Sequence, residues 1–321
     1  MMPIRPLLAV FASLAALLAA PATAQNFPVK PIRYIISFPP GGSNDIAARI
    51  IGARITELTG AQVLIDNRPG GGANIGAEAV ARAAPDGYTF GNISATHAIN
   101  ATLFPKLGYD MLRDFTPIIK VADIPLLLAA HPVLPVRSPK DVIALARNNK
   151  LNYGSAGIGT PGHLAAEMLR GFGAKELGHV PYKGGGPAAV DLMAGHVELL
   201  FQNMPELVPF VRAGKMRAIA LTSAQRDPVL PAVATMIESG FEGFELGNWL
   251  AIVGPAGIPR DIVAKLNSDI SRILREPATR DKMSAQGFNI ALSTADELAV
   301  FLRNEREKWG KLVKISGAKV N

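Results

Sequence analysis

The sequence contains no cysteine among its 321 residues. The chain therefore forms no disulfide, provides no thiolate ligand for zinc or an iron–sulfur cluster, and has neither a cysteine nucleophile nor a cysteine for lipid attachment. Charged residues are also few, at 18%, and the cations are scattered without a run of five or more, which disfavours a nucleic-acid surface. Hydrophobic residues make up 49%, which excludes a disordered chain and suits one large or two medium-sized domains.

The first residues have the pattern of a cleaved export signal. A short segment with one cation, Arg5, precedes an apolar stretch of 14 residues at positions 7–20, and Ala22 and Ala24 provide the small residues that signal peptidase accepts. A membrane anchor is the alternative, but a spanning helix needs about 20 apolar residues, and Pro, Gly or charge interrupts every later candidate. We predict cleavage after Ala24 and an exported mature protein. Its net charge falls from +7 to +6 because only Arg5 is lost, and this weak positive field favours small anions.

Strand, glycine loop and helix follow one another repeatedly along the first half of the chain. A β-branched run at 32–37 predicts a strand buried on both faces, a glycine loop follows at 38–44, and apolar residues at helical spacing continue to Gly60. A strand at 63–65, a triple-glycine loop at 67–72, a helix at 75–84 and a strand at 88–92 repeat the order. Such units predict a mostly parallel sheet with helices on both faces.

The second half has the same order of elements. A strand at 151–154, a small-residue loop at 155–160 and a helix at 161–172 precede a second unit, with its triple-glycine loop, at 177–201. We predict an α/β fold of two similar lobes, joined by crossover strands near 126–130, 218–222 and 250–253. Two C-terminal helices, beginning near Pro259 and Thr294, would complete the first lobe. The predicted division is 25–127 plus 248–321 for lobe 1 and 128–247 for lobe 2.

Several motifs of known chemistry are absent from the sequence. Neither G-x-G-x-x-G nor G-x-x-x-x-G-K-[ST] occurs, which disfavours nucleotide binding. The G-x-S-x-G pattern of serine hydrolases fails around Ser155, because Tyr153 stands where the first glycine is required. The five histidines have neither H-x-x-x-H nor H-E-x-x-H spacing. We therefore predict no catalytic residue, no metal site and no cofactor.

The glycine loops favour an anion-binding cleft. Backbone N–H groups at helix N-termini carry partial positive charge, and the carboxyl ends of parallel strands bring such termini to one edge of the sheet. For any single loop, a tight turn without a ligand is the alternative. His163 lies one turn into a helix and faces either the cleft or solvent. Other polar side chains at strand ends or in the loops would add hydrogen bonds; these are Ser94, Thr96, Ser155, Thr160, Gln202 and Asn203.

Ordered motifs extend from just after the signal to near the C-terminus. They include F-P-P-G-G-S-N-D-I-A-A-R at 38–49, N-R-P-G-G-G at 67–72, P-D-G-Y-T at 85–89, Y-G-S-A-G-x-G-T-x-x-H at 153–163 and V-P-Y-K-G at 180–184. This series resembles the substrate-binding proteins of tripartite tricarboxylate transporters, the Bug family of periplasmic solute receptors. The resemblance implies a two-lobed periplasmic-binding-protein-like fold that closes on a small carboxylate.

The resemblance also implies where the ligand lies. A first-lobe loop and the segment 94–97 would hold one ligand carboxylate, often through water, and the second lobe would contribute its strand-end residues. The pair Gln202–Asn203 lacks the acidic residue associated with amino-acid-binding members, so we expect a di- or aromatic carboxylate more than an amine. The implied ligand-binding residues are Pro40, Gly41, Gly42, Ser43, Asn44, Asp45, Ser94, Thr96, Ser155, Gly159, Thr160, His163, Gln202 and Asn203.

The predicted function is capture of a small organic anion in the periplasm and its delivery to a membrane permease of the tripartite tricarboxylate type. We expect a monomer that binds no nucleic acid. A receptor that signals to a membrane kinase is one alternative, and it would use the same cleft. A secreted hydrolase is the other, but it requires a nucleophile–base pair or a metal for which the sequence has no motif.

Overall fold

The computed structural model describes residues 27–316, 318 and 319. The signal peptide predicted at 1–24, with its cleavage after Ala24, lies outside the described residues. Within the part that is described, no helix is long and apolar enough to cross a membrane.

The first part of the chain alternates strands with helices. Its elements are β1 (Ile32–Ile36), α1 (Ser43–Thr59), β2 (Val63–Asn67), α2 (Asn74–Ala81), β3 (Thr89–Ser94) and α3 (Ala95–Leu103), with a 3₁₀ turn at Gly71–Ala73. β1 pairs in parallel with β2 and β3. Gly60 ends α1 in the left-handed conformation, with φ of 74°, where its N–H donates to the carbonyl of Thr56.

The middle of the chain builds a second set of parallel strands. Its elements are β4 (Phe115–Ala130), α4 (Pro139–Ala146), β5 (Leu151–Ser155), α5 (Pro161–Gly171), β6 (Leu177–Pro181), α6 (Gly185–Ala194), β7 (Leu199–Asn203), α7 (Met204–Arg212) and β8 (Arg217–Leu221). β5 pairs in parallel with β6 and β7. The tail comprises β9 (Gly247–Pro255), α8 (Arg260–Arg275), α9 (Pro277–Ser284), β10 (Asn289–Ile290) and α10 (Ala295–Ser316).

The long strand β4 belongs to both sets of strands. Its residues 115–125 pair antiparallel with β9, and its residues 126–130 pair antiparallel with β7 and β8. The resulting order is β2-β1-β3-β9-β4-β7-β5-β6, with β8 and β10 also on β4. The predicted α/β class is confirmed. The sheet is mixed, because antiparallel strands join its two groups of parallel strands, and helices flank it. The exact lobe boundaries, at 127/128 and 247/248, stay a prediction.

Strand β1 shows how the sequence pattern becomes a core. Ile32, Tyr34 and Ile36 pack into one apolar cluster with α1 and α8, whereas Ile35 packs into another cluster on the opposite face. The strand is therefore buried on both faces, as its β-branched run predicted. Burial on both faces fixes the register of the strand, and this determines where its carboxyl end and the following glycine loop lie.

Sequence reasoning did not predict α3, α4, α7 or α9. α7 carries Pro205 and Pro209, and the second of these lies inside the helix and interrupts the pattern that identifies helices. α3 begins directly after β3 without a glycine loop, so the sequence predicts a strand end and a loop at 94–97 where the structure has the start of a helix. α3 and α7 each begin at the carboxyl end of a strand, where they border the cleft described next.

Candidate functional site

Five helices of the described chain begin around one cleft at the carboxyl ends of β1, β3, β5, β6 and β7. These helices are α1, α3, α5, α6 and α7. The cleft is narrow, with little free space between its walls. Its lining consists of Phe38, Pro39, Pro40, Gly42, Ser43, Asn44, Thr96, Ala156, Thr160, Pro161, Gly162, Gly185, Gly186, Gln202, Asn203, Glu206 and Asn248.

The predicted ligand-binding residues divide into two groups. Eight of them line the cleft: Pro40, Gly42, Ser43, Asn44, Thr96, Thr160, Gln202 and Asn203. The other six lie outside the lining: Gly41, Asp45, Ser94, Ser155, Gly159 and His163. The hydrogen bonds of the second group show that most of its members hold the loops that carry the first group.

Asp45 braces the glycine loop before α1. Its carboxylate accepts hydrogen bonds from the Gly41 N–H at 2.9 Å, from Arg49 Nε at 2.9 Å and from Asn67 Nδ2 at 3.0 Å. Burial raises the pKa of Asp45, but the hydrogen bonds from Arg49, Gly41 and Asn67 outweigh burial and hold the pKa below its ordinary value. Asp45 is thus ionised and committed to the loop, so it fixes the direction in which the first amides of α1 point.

The start of α3 is fixed by His97 and Asn248. His97 is fully buried, and its Nδ1 accepts a hydrogen bond from the Ser94 N–H at 3.0 Å. Asn248, on β9, accepts from the Ala95 N–H at 3.1 Å and donates to Asn203 Oδ1 at 3.2 Å. Asn248 therefore links the α3 wall to the end of β7. Sequence reasoning missed it, because its position depends on the antiparallel pairing of β3 with β9.

The loop from 155 to 160 is held from behind by two histidines. Ser155 Oγ lies 2.7 Å from His179 Nε2 and accepts from the Gly157 N–H at 3.1 Å. The rings of His163 and His179 stack at 4.4 Å. Burial lowers the pKa of His163, and it lowers the pKa of His179 to about 3, so both rings are neutral near pH 7. Ser155 has no exposed surface, so its contact with His179 supports the loop and does not present a nucleophile.

Glu206 is the residue that sequence reasoning missed in the cleft itself. It lies in the first turn of α7 and is 7% exposed. Oε1 accepts from the Ser43 N–H at 2.9 Å and from Asn203 Nδ2 at 3.2 Å, and Oε2 accepts from Gln202 Nε2 at 2.7 Å. Burial raises the pKa of Glu206, while these hydrogen bonds oppose the shift. Positions 202 and 203 carry no acidic residue, but Glu206, in the first turn of the helix that follows them, places a carboxylate in the cleft.

The cleft presents dipoles and hydrogen-bonding groups in place of positively charged side chains. Among the described residues that line it, none is Lys, Arg or His, and Glu206 alone is ionisable. No group of three or more metal-ligating side chains is found within residues 27–316, 318 and 319. Side-chain amides of Asn44, Gln202 and Asn203, the hydroxyls of Ser43, Thr96 and Thr160, and the helix N-termini provide its hydrogen-bonding groups. Such a lining can hold a carboxylate without a cation.

Comparison with known proteins identifies the family to which the chain is similar. Residues 47–318 match the model of the tripartite tricarboxylate transporter family receptor. The protein BugT of Bordetella pertussis is 36% identical over 307 residues, which cover 94% of each chain. The structure of R. palustris Rpa4515 with adipate is 35% identical, with a TM-score of 0.88, covering 92% of this chain and all of that one.

A second structure, MatC (Rpa3494) from Rhodopseudomonas palustris with bound malate, is 32% identical with a TM-score of 0.84 and covers 89% of this chain and all of that one. The family match spans most of the chain, and the overall folds agree closely. The chain therefore belongs to the tripartite tricarboxylate transporter receptor family, the Bug family of periplasmic substrate-binding receptors.

Proposed function

We propose that this protein captures a small organic carboxylate in the cleft between its two lobes and delivers it to a membrane permease of the tripartite tricarboxylate type. The observation that carries the proposal is the convergence of five helix N-termini on one cleft whose lining contains no basic residue among those described. N-terminal amides of helices lack intrahelical acceptors and favour negative charge. An anion that enters this cleft meets such amides from both sides.

The ligand class follows from the donors and is supported by the relatives. Each hydrogen bond from an uncharged donor to a carboxylate contributes about 1.5–3 kcal/mol, so a few well-placed donors suffice for binding. Two relatives at 35% and 32% identity hold adipate and malate. We therefore propose dicarboxylates as the first ligands to test, followed by aromatic carboxylates.

We propose closure of the two lobes as the mechanism of capture. The chain passes between the parallel strand groups through β4 and returns through the segment that joins β8 to β9, so these two connections would form the hinge. Ser43 and Asn44 lie on one side of the cleft, and Thr160 and Gln202 lie on the other. A carboxylate that contacts both sides is bound more tightly by the closed form and shifts the population towards it.

The remaining parts of the proposal concern the mature protein. The eight predicted residues in the lining would contact the ligand, and the other six would hold the loops. We further propose that the receptor acts as a monomer and that its mature chain begins at Gln25. These features fit a receptor that diffuses between the outer side of the periplasm and its permease.

The test is a thermal-shift screen of the chain from Gln25 onward against mono-, di- and tricarboxylates, including adipate and malate. The uncharged diamides of the same acids serve as matched controls. We expect a carboxylate to raise the melting temperature in proportion to the logarithm of its concentration, and the diamide to have no effect. A screen in which no carboxylate stabilises the protein would refute the proposal.

Two further measurements separate the alternatives. NMR of the incubated ligand shows whether it remains intact, and its cleavage would favour a hydrolase. Pull-down from solubilised membranes, with and without the ligand, identifies the membrane partner; capture of a kinase in place of a permease would favour signalling.

A further inference from the structure

We infer that Glu206 is an internal competitor of the ligand. Its carboxylate occupies the N-terminus of α1 when the cleft is empty and is replaced there by the carboxylate of the ligand. The inference rests on the proposed function, since it assigns the ligand carboxylate to the same helix end. Glu206 is therefore a specificity-determining residue, because only an anion that binds the helix end more strongly than the Glu206 carboxylate does can replace it there.

The first observation is a hydrogen bond between the two lobes. Ser43 is the first residue of α1, in the first lobe, and Glu206 lies on α7, which follows a strand of the second lobe. The Ser43 N–H donates to Glu206 Oε1 at 2.9 Å, and Asn203 Nδ2 donates to Ser43 Oγ at 2.7 Å. The protein thus places its own carboxylate on an amide that has no acceptor within its helix.

The second observation is the position of the carboxylate among helix ends. It lies in the first turn of its own helix, against the first amides of α1 and beside Gly185 at the start of α6. A Cβ atom at Gly185 would overlap both Glu206 Oε2 and Gln202 Nε2, so the glycine leaves the space that these two side-chain ends occupy. Three helix N-termini therefore surround one carboxylate, which is the environment proposed for the ligand.

The third observation is the lack of compensating charge. The lining has no cation among its described residues, so ionised Glu206 makes the cleft negative. On neighbouring elements, Asp45 is paired with Arg49, Asp191 is bonded to Tyr182, Arg212 lies at the far end of α7, and His163 is outside the lining. None of these groups is hydrogen-bonded to Glu206. A ligand carboxylate beside ionised Glu206 therefore meets a like charge, and beside protonated Glu206 it does not.

Competition and repulsion act in the same direction, so removing the carboxylate should strengthen binding. The test uses Glu206→Ser, which frees the Ser43 amide, and Glu206→Gln, which keeps the size of the side chain and removes its charge. Glu242→Gln is the matched control, because Glu242 is exposed and outside the cleft. Calorimetry with adipate and with malate at pH 8 should show at least tenfold tighter binding for both Glu206 variants and unchanged binding for the control.

The pH dependence adds a second readout. Because protonation neutralises Glu206, the wild-type protein should gain affinity as the pH falls from 8 to 5, whereas Glu206→Ser should gain much less. Weaker binding in Glu206→Ser, with a normal circular dichroism spectrum, would overturn the inference and show that Glu206 holds a donor group of the ligand. Equal affinity in wild type and both variants would overturn it as well.

A measurement without ligand separates this inference from the proposed function. If Glu206 holds the lobes together, small-angle scattering of the ligand-free protein should give a larger radius of gyration for Glu206→Ser than for wild type and Glu242→Gln. Identical scattering curves for Glu206→Ser and wild type would show that Glu206 does not hold the two lobes together. If neither adipate nor malate nor any carboxylate of the screen binds any variant, the proposed function fails, whatever the scattering shows.

Discussion

Acid titration of His97 tests how the first-lobe wall of the cleft is held. The imidazole is fully buried, and its Nδ1 must be unprotonated to accept the hydrogen bond from the Ser94 N–H. Burial lowers the pKa of His97 from 6.5 to about 4, and the Ser94 N–H, which donates to Nδ1, also favours the neutral ring. A proton on Nδ1 would face the Ser94 N–H, so the start of α3, with Thr96, would have to move.

The magnitude follows from the two pKa values. In the unfolded chain the histidine takes up its proton near pH 6.5, but in the folded protein it does so only near pH 4. The stability from neutral His97 is therefore complete above pH 6.5 and is lost as the pH falls towards 4. The difference in pKa corresponds to about 3 kcal/mol, more than half of which should be lost by pH 5.

The assay is urea unfolding at several pH values between 7.5 and 4 for wild type and His97→Asn. Asparagine places its Oδ1 near the position of Nδ1 and keeps an acceptor for Ser94, but it does not titrate in this range. We expect the variant to be less stable at pH 7.5, because a ring is lost from the core, and to lose about 3 kcal/mol less on acidification. The exposed His196→Asn variant should follow wild type. Parallel curves for wild type and His97→Asn would refute the reasoning.

Three further substitutions test the loops and the sheet. At Gly42 the nearest atom to an added Cβ would be 3.6 Å away, so a single methyl group fits, but the two methyl groups of Gly42→Val would project into the cleft. Calorimetry of this variant should show at least tenfold weaker carboxylate binding. Unchanged binding would place the ligand elsewhere. Ser155→Ala removes the contact with His179. We expect the free energy of unfolding in urea to fall by about 1 kcal/mol, and carboxylate binding to weaken because the loop is less firmly held. A variant equal to wild type in both measurements would show that the contact contributes to neither stability nor binding. Gly91→Ala would place a Cβ 2.7 Å from a carbonyl oxygen of β1 and should lower the free energy of unfolding by about 1–3 kcal/mol. The control Gly171→Ala, at the open end of α5, should leave the stability unchanged or raise it. Equal melting temperatures for the two variants would contradict the close approach of the strands.

Elements with local signals were predictable from the sequence. The β-branched run of β1, the glycine loop after it and the apolar spacing of α1 each identify their structure within a window of a few residues. α7 was missed for a local reason too, since Pro209 interrupts its pattern, although Pro205 and Glu206 near its start are typical of a helix N-terminus. A closer search for first-turn signals could have found this helix.

The site was predictable only in part, because its geometry depends on pairing between distant strands. The glycine loop with Ser43 lines the cleft because it follows a parallel strand, a relation that the sequence order already implies. The role of Asn248 depends on the antiparallel register of β9 against β3, which no local pattern encodes. Glu206 could be placed near the cleft only after α7 was recognised as a helix beginning there.

If a carboxylate binds in the cleft as proposed, the absence of a cation from the described lining would link its recognition to closure of the lobes. An arginine or lysine would attract a carboxylate in the open cleft, because a charge acts over several ångströms. Amide donors and helix ends act mainly at hydrogen-bond distance, so an anion gains little until donors from both lobes surround it. Glu206 would sharpen this requirement, since it already accepts a hydrogen bond from one of those donors, the Ser43 N–H. If the proposed function holds, such a receptor would bind weakly to an anion that reaches only one lobe and would retain one that completes the contacts of both.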